Sequence, residues 1–197
     1  NIILNLKMKS INYTKLEKIF SSFIEDEKQN NFNSEILTEI NDTIENNFIS
    51  LILFESESDL NDYSLYSLPS TKEKIINEFE KELKLNLLVI TKWLNVNKKS
   101  LVIFQKENNL LPNLFNILDT TYLLLTPIFF NKKLSGIIIC SRKENEFAEQ
   151  EINLVEEFSF FIGMMNSFMN TLELNRTLEN KLFQAQKLET VGKIASG

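Results

Sequence analysis

Few residues in this chain could carry covalent or acid–base chemistry. It has one cysteine, Cys140, and no histidine among its 197 residues. The lack of histidine excludes Ser-His-Asp and Cys-His catalysis, histidine-ligated metal or haem, and histidyl phosphorylation within these residues. Cys140 could anchor a bilin or act as a redox thiol. On the β-branched run Ile137-Ile-Ile-Cys140 it reads first as a small core residue, and no second cysteine exists to resolve a disulfide. Five aromatic residues, Tyr63, Tyr66, Trp93, Phe104 and Tyr122, join Cys140 as candidates to line a pocket beside a sheet. Their alternative role is ordinary core. No catalytic residue, metal site or cofactor is identified; a ligand, where one is held, is a small molecule of unknown identity.

Composition narrows the partners. Net charge is −6, with acids and lysines interspersed, so no basic face awaits nucleic acid. A single cysteine gives no disulfide framework. No apolar run approaches the roughly 20 residues of a membrane span, and the opening NIILNL is too short for a signal-peptide core. The chain opens at Asn1 without methionine and stops at Gly197 on an unfinished pattern, as expected of a segment from a longer protein. The default location is the cytoplasm.

What must position these residues is organised around the C-terminal run 148–197, which contains no proline. Apolar residues recur at Ile152, Val155, Phe158, Ile162, Met165, Phe168 and Leu172, then at Leu178, Leu182, Ala185, Leu188 and Val191. Steps of three and four form one helical stripe. At 1.5 Å per residue the run reaches roughly 70 Å, more than one domain needs. A stripe that outlasts its domain needs a partner, usually the same helix of a second copy. The expected seam is Ile162, Met165, Phe168, Met169, Leu172, Leu178, Leu182, Ala185 and Leu188. Spacing slips near Leu174–Lys181, as in a stutter that allows alternative registers. Gly163 permits close approach, either to another helix or to the sheet.

Upstream, Ser10 or Asn12 starts a helix with Tyr13, Leu16, Ile19, Phe20, Phe23 and Ile24 on one face. After a polar linker, a second amphipathic helix is expected over 34–47. Residues 49–54 and 63–68 read as an antiparallel strand pair. Ser70-Thr-Lys-Glu73 is a capping box opening a helix with Ile75, Ile76, Phe79 and Leu83 inward. Residues 87–94 fit helix or strand, and the spacing of Leu83, Leu87, Ile90 and Leu94 favours a further helix. Residues 101–104 are a strand, and 105–120 an irregular connection carrying Pro112. Strands 122–130 and 134–141 flank a hairpin turn at Asn131-Lys132-Lys133. Gly136 marks a bulge or close backbone approach. The order α, α, β, β, α, α, β, β, β, α is an α+β pattern, an antiparallel sheet flanked by helices with a long C-terminal helix.

Residues 122–168 resemble the C-terminal half of a GAF domain: a strand with Pro127, a turn, a strand with Gly136, a polar loop, then Phe147 and Glu151 opening the last helix. The resemblance reaches back less specifically to about Ser34. Together with the resemblance of the run LFQAQKLETVGKIASG (185–197 at its end) to a histidine-kinase dimerisation helix, it implies a division into an N-terminal helix and linker (1–33), a GAF-like sensor (34–168), a signalling helix (169–184) and the start of a kinase dimerisation helix (185–197). Cyclic-nucleotide-binding GAF domains carry Asn-Lys after the preceding strand and end Phe-x3-Asp-Glu. Ser141-Arg142 and Glu151-Ile152 stand there instead, and both departures argue against a cyclic nucleotide. Phe147 then reads as a staple at the helix start and Glu151 as compensation for the N-terminal dipole. Ala148 takes the place of a Ser or Thr cap.

The last stretch, LFQAQKLETVGKIASG, resembles the approach to the phosphoacceptor histidine of sensor histidine kinases, through Ala185, Gln186, Lys187, Leu188, Glu189, Val191, Gly192, Ala195 and Gly197. The resemblance places the acceptor just beyond Gly197. Together the two imply a cytoplasmic sensory and dimerisation module of a two-component histidine kinase, a homodimer relaying a signal through a parallel coiled coil of C-terminal helices. They imply a phosphorelay through a downstream kinase domain and a response regulator. The alternatives are a ligand-free structural GAF spacer, or a stand-alone enzyme domain acting on a small molecule.

Overall fold

A computed structural model of the chain describes residues 21, 29–55, 60–69, 73–107 and 111–195. The elements are α1 (Gln29–Thr43), β1 (Phe48–Phe54), β2 (Tyr63–Leu68), α2 (Glu73–Asn97), β3 (Leu101–Phe104), a 3₁₀ turn (Gln105–Glu107), α3 (Pro112–Leu118), β4 (Tyr122–Phe130), β5 (Lys133–Arg142) and α4 (Glu149–Ala195). The five strands form one antiparallel sheet in the order β2-β1-β5-β4-β3. Apart from Ser21, the helix expected over Tyr13–Ile24 lies outside the described residues, as do the capping residues Ser70 and Thr71 and the last two residues, Ser196 and Gly197.

Alternation along the strands sorts side chains into two layers. Leu51, Leu124, Ile138 and Cys140 point to one face, where α1 and α4 cover them with Ile36, Ile40, Val155, Phe158 and Ile162. Ile52, Leu123, Leu125, Ile137 and Ile139 point to the other, under Phe79, Leu83, Leu87 and Leu94 of α2 and Leu114 and Phe115 of α3. The architecture is the expected α+β sheet flanked by helices.

Several boundaries differ from expectation, each for a local reason. α2 is one helix of 25 residues rather than two, and its core stripe runs unbroken through Phe79, Leu83, Leu87, Ile90 and Leu94. The connection 105–120 contains α3: Pro112 lies in its first turn, where a missing N–H is harmless, and Leu114, Phe115 and Leu118 are buried. α1 begins at Gln29, before Ser34, and ends at Thr43. The β4–β5 turn is the two-residue Asn131-Lys132, with φ of 47° and 66°, the left-handed pair that matches strand twist.

Two glycines have steric roles. The β4–β5 register shifts after the Ile128↔Gly136 pair, leaving Ser135 as a bulge. A Cβ on Gly136 would fall against the carbonyl oxygen of Ile52 in β1. Both features expected at that position are therefore present. On Gly163 a Cβ would sit 2.6 Å from the carbonyl oxygen of Phe129 in β4. Gly163 thus serves helix-on-sheet packing, which decides between the two roles open to it.

α4 is continuous over 47 residues, about 70 Å, with no break where the spacing slips near Leu174–Lys181. Its first part closes the sheet through Val155, Phe158, Ile162 and Met165. Two residues of the expected seam, Ile162 and Met165, are 0 % and 1 % exposed within their own domain, where the helix–sheet contact occupies them.

Candidate functional site

The six pocket candidates do not gather in one place. Tyr63 and Trp93 lie on the α2/α3 face. Tyr66, Tyr122 and Cys140 lie on the α1/α4 face. Phe104 pairs with Tyr122 across β3 and β4, and their rings stack with centroids 5.1 Å apart. Cys140 is fully buried between its neighbours Ile49 and Leu124, and burial pushes its thiol up to about 12. A thiol held neutral is a poor nucleophile, which fits the reading of Cys140 as core.

Tyr63, half-buried on edge strand β2, donates to Glu80 Oε1 at 3.4 Å, and Lys84, itself paired with Glu80 at 2.9 Å, sits 5.6 Å from its ring centre. Burial, then the charge and hydrogen bond of Glu80, push the phenol up to about 12. On the same face Ser67 donates to Ser50 at 3.0 Å, and Ser50 to the Tyr66 carbonyl at 3.1 Å. The Ser141 hydroxyl, paired in register with Phe48 and Leu123 of that face, is buried without a hydrogen-bond partner.

The strongest polar constellation stands at the root of α4. Arg142, the last residue of β5 and 8 % exposed, makes a bidentate pair with Glu151, Nη2 to Oε1 at 2.7 Å and Nη1 to Oε2 at 3.0 Å. Its Nε donates to the Glu45 carbonyl at 2.7 Å, and its guanidinium lies 4.5 Å from the centre of the Phe147 ring. Glu151 Oε2 also accepts the Ala148 N–H at 2.8 Å. That is the carboxylate half of a capping box, so Glu151 satisfies an amide that Ala148 has no side chain to help. The hydrogen bonds of Arg142, more than any other influence, hold the Glu151 carboxyl below its ordinary range, while burial pulls the other way. One arginine thus ties the α1–β1 loop, the end of β5 and the start of α4 (Glu45, Arg142, Glu151). In the sequence Arg142 stands out only as a departure from a motif; an arginine ending a strand nine residues before an acid in a helix's first turn is the signal of this tie.

A second tie crosses from the end of α2 to α4. Glu156 Oε1 accepts the Ser100 N–H at 3.2 Å and its hydroxyl at 2.7 Å, and Ser100 Oγ lies 3.1 Å from Thr126 Oγ1 on β4. Past the sheet, Phe168, Leu172, Leu178, Leu182, Ala185 and Leu188 of the expected seam are exposed, and Met169 packs partly against the core.

Neither a protein-family model nor a curated protein matches this sequence. Solved structures do match. A GAF domain/HD domain protein from Geobacter sulfurreducens aligns over 70 % of this chain and 91 % of its own at 16 % identity, with a TM-score of 0.54. A domain described as from a two-component sensor histidine kinase of Sinorhizobium meliloti covers 75 % and 97 % at 12 % identity and 0.57. The GAF domain of a phosphoenolpyruvate-protein phosphotransferase from Coxiella burnetii covers 82 % and 96 % at 11 % identity and 0.59. At these identities the likeness concerns the fold. The five-stranded antiparallel sheet, its two helical layers and the closing helix α4 make this chain a GAF fold.

Proposed function

We propose that the chain is the sensory and dimerisation module of a signal-transduction histidine kinase, relaying a signal through a parallel pair of α4 helices to a downstream kinase that transfers phosphate to a response regulator. One observation carries this reading. α4 is rooted in the sheet by Val155, Phe158 and Ile162 and the Arg142–Glu151 pair, then continues as the same helix with Phe168, Leu172, Leu178, Leu182 and Leu188 exposed. A helix so built passes any shift at its root to its far end, and its exposed stripe fits another copy. The kinase-like run 185–197 supports a histidine kinase as the receiver of that shift.

The experiment is sedimentation of the full chain and of a version ending at residue 169, with cysteine cross-linking at Leu178→Cys and Leu182→Cys. A dimer that needs residues 170–197 and cross-links through identical positions is expected. A monomer in both versions, or a dimer without cross-links, overturns the parallel rod. The ligand-free spacer has one observation in its favour, the apolar filling of the α2/α3 face by Phe79, Leu83, Leu94 and Phe115. Native mass spectrometry of protein from its own cells separates the two: a retained small molecule marks a sensor.

A further inference from the structure

The outer face of α2 has no role in the fold. The helix buries Phe79, Leu83, Leu87, Ile90 and Leu94, and about 100° per residue places Leu85, Lys92 and Val96 opposite that stripe. Leu85, Leu88, Val89 and Val96 are 74, 69, 52 and 75 % exposed. Single exposed apolar residues are ordinary, but four along one helical face form a patch. Its charge is one-sided. Residues 85–99 hold Lys92, Lys98 and Lys99, all exposed, and no acid, in a chain of net charge −6; Lys84, just before them, is taken up by Glu80. Trp93, half-buried, flanks the stripe.

We propose that this face is a docking surface for an anionic phospholipid bilayer, with α2 lying along the headgroup plane. Charge complementarity requires a negative partner, and the residue types favour lipid over an acidic protein. The cations are lysines, whose stems run along apolar surface while their ammonium groups stay at the headgroups. The exposed apolar residues are leucine and valine. The arginine and exposed aromatic anchors that dominate protein–protein hot spots are absent from the stripe. α1 and α4 pack on the opposite face of the sheet, so a docked α2 leaves α4 free. Docking needs no span, and no described helix is long and apolar enough to cross a membrane.

Trp93 is the only tryptophan, so its emission reports contact directly. The full chain is titrated with phosphatidylcholine vesicles, with and without phosphatidylglycerol, and binding is confirmed by flotation. A blue shift and co-flotation are expected with the anionic vesicles alone, fading as salt rises. Lys92→Gln with Lys99→Gln should weaken partition roughly thirtyfold. Leu88→Ser with Val89→Ser, both at exposed positions, should remove the shift while leaving the circular dichroism of the fold intact. Failure to float with anionic vesicles at low salt overturns the proposal, as does binding that neither double variant alters. Two further results overturn it: polyglutamate binding as tightly and independently of Leu88 and Val89, or variants that change sedimentation without lipid, which would make the stripe a protein contact.

Discussion

The guanidinium of Arg142 and the carboxylate of Glu151 meet edge to edge through two hydrogen bonds of 2.7 and 3.0 Å, joining the last residue of β5 to the first turn of α4. Arg142 is buried and Glu151 partly so. Removing one partner strands the other in a poorly hydrated place, which costs more than an exposed ion pair returns. Glu151→Gln should destabilise the domain by about 2–3 kcal/mol in urea unfolding. Arg142→Met should cost at least as much, since the Glu45 carbonyl also loses its donor. A change within about 0.5 kcal/mol for both would show the pair to be ornamental.

The same pair sets an acid limb. The folded-state value of Glu151 lies below its unfolded value, so its contribution is complete above the unfolded carboxylate value of about 4.3. It disappears as pH falls through the depressed folded value. In Glu151→Gln the stability difference from the parent should therefore shrink on acidification through that window. A difference constant from neutral pH to pH 3 would count against the assignment.

Gly163 makes an unusual prediction about helix propensity. Alanine normally gains about 1 kcal/mol over glycine inside a helix. Here its methyl would press on the Phe129 carbonyl, and backbone yields less readily than a side-chain tip. Gly163→Ala should destabilise by about 1–3 kcal/mol, whereas Asn170→Ala, exposed on the same helix, should stabilise by a few tenths. Thermal unfolding of the two variants side by side checks both signs.

The two halves of the apolar stripe should respond differently. Leu182→Asp, at an exposed position, should abolish association in sedimentation while leaving the unfolding midpoint of the domain nearly unchanged. Met165→Ala, in the core, should lower stability by about 2–4 kcal/mol and leave association through residues 170–197 intact. Similar effects from both would mean that the stripe is one structural unit.

Cys140 should be silent. With its thiol fully buried and pushed up to about 12, the native protein at pH 8 should resist aromatic disulfide reagents and react promptly only on unfolding. Rapid stoichiometric labelling of native protein would point to opening between β1 and β5.

The strands were readable because β-branched runs, Pro127 and the turn residues Asn131-Lys132 act locally. α3 was not, because a seven-residue helix shows barely two turns of pattern and Pro112 reads as a breaker until its first-turn place is known. Residues 87–94 fit helix and strand alike because Leu88 and Val89, like Leu85 before them, are apolar yet face outward, which hides the period of the buried set. The scatter of the aromatic candidates was partly legible. Tyr63 and Tyr66 are three residues apart on one strand, so their side chains must leave opposite faces. The Arg142 contacts were not, since they depend on where a loop ninety-seven positions away in sequence brings Glu45.

Gly163 also constrains how α4 can move. The helix meets the backbone of β4 at the one glycine among its described side chains, and the residues one turn away along that face, Ser159, Phe160, Asn166 and Ser167, all carry a Cβ. A piston stroke along the helix axis would drive a side chain into the Phe129 carbonyl, whereas a turn or tilt about that contact keeps the glycine in place. About such a contact a small swing near Glu151 would become a larger lateral excursion at the far end, because the helix beyond residue 163 is the longer arm.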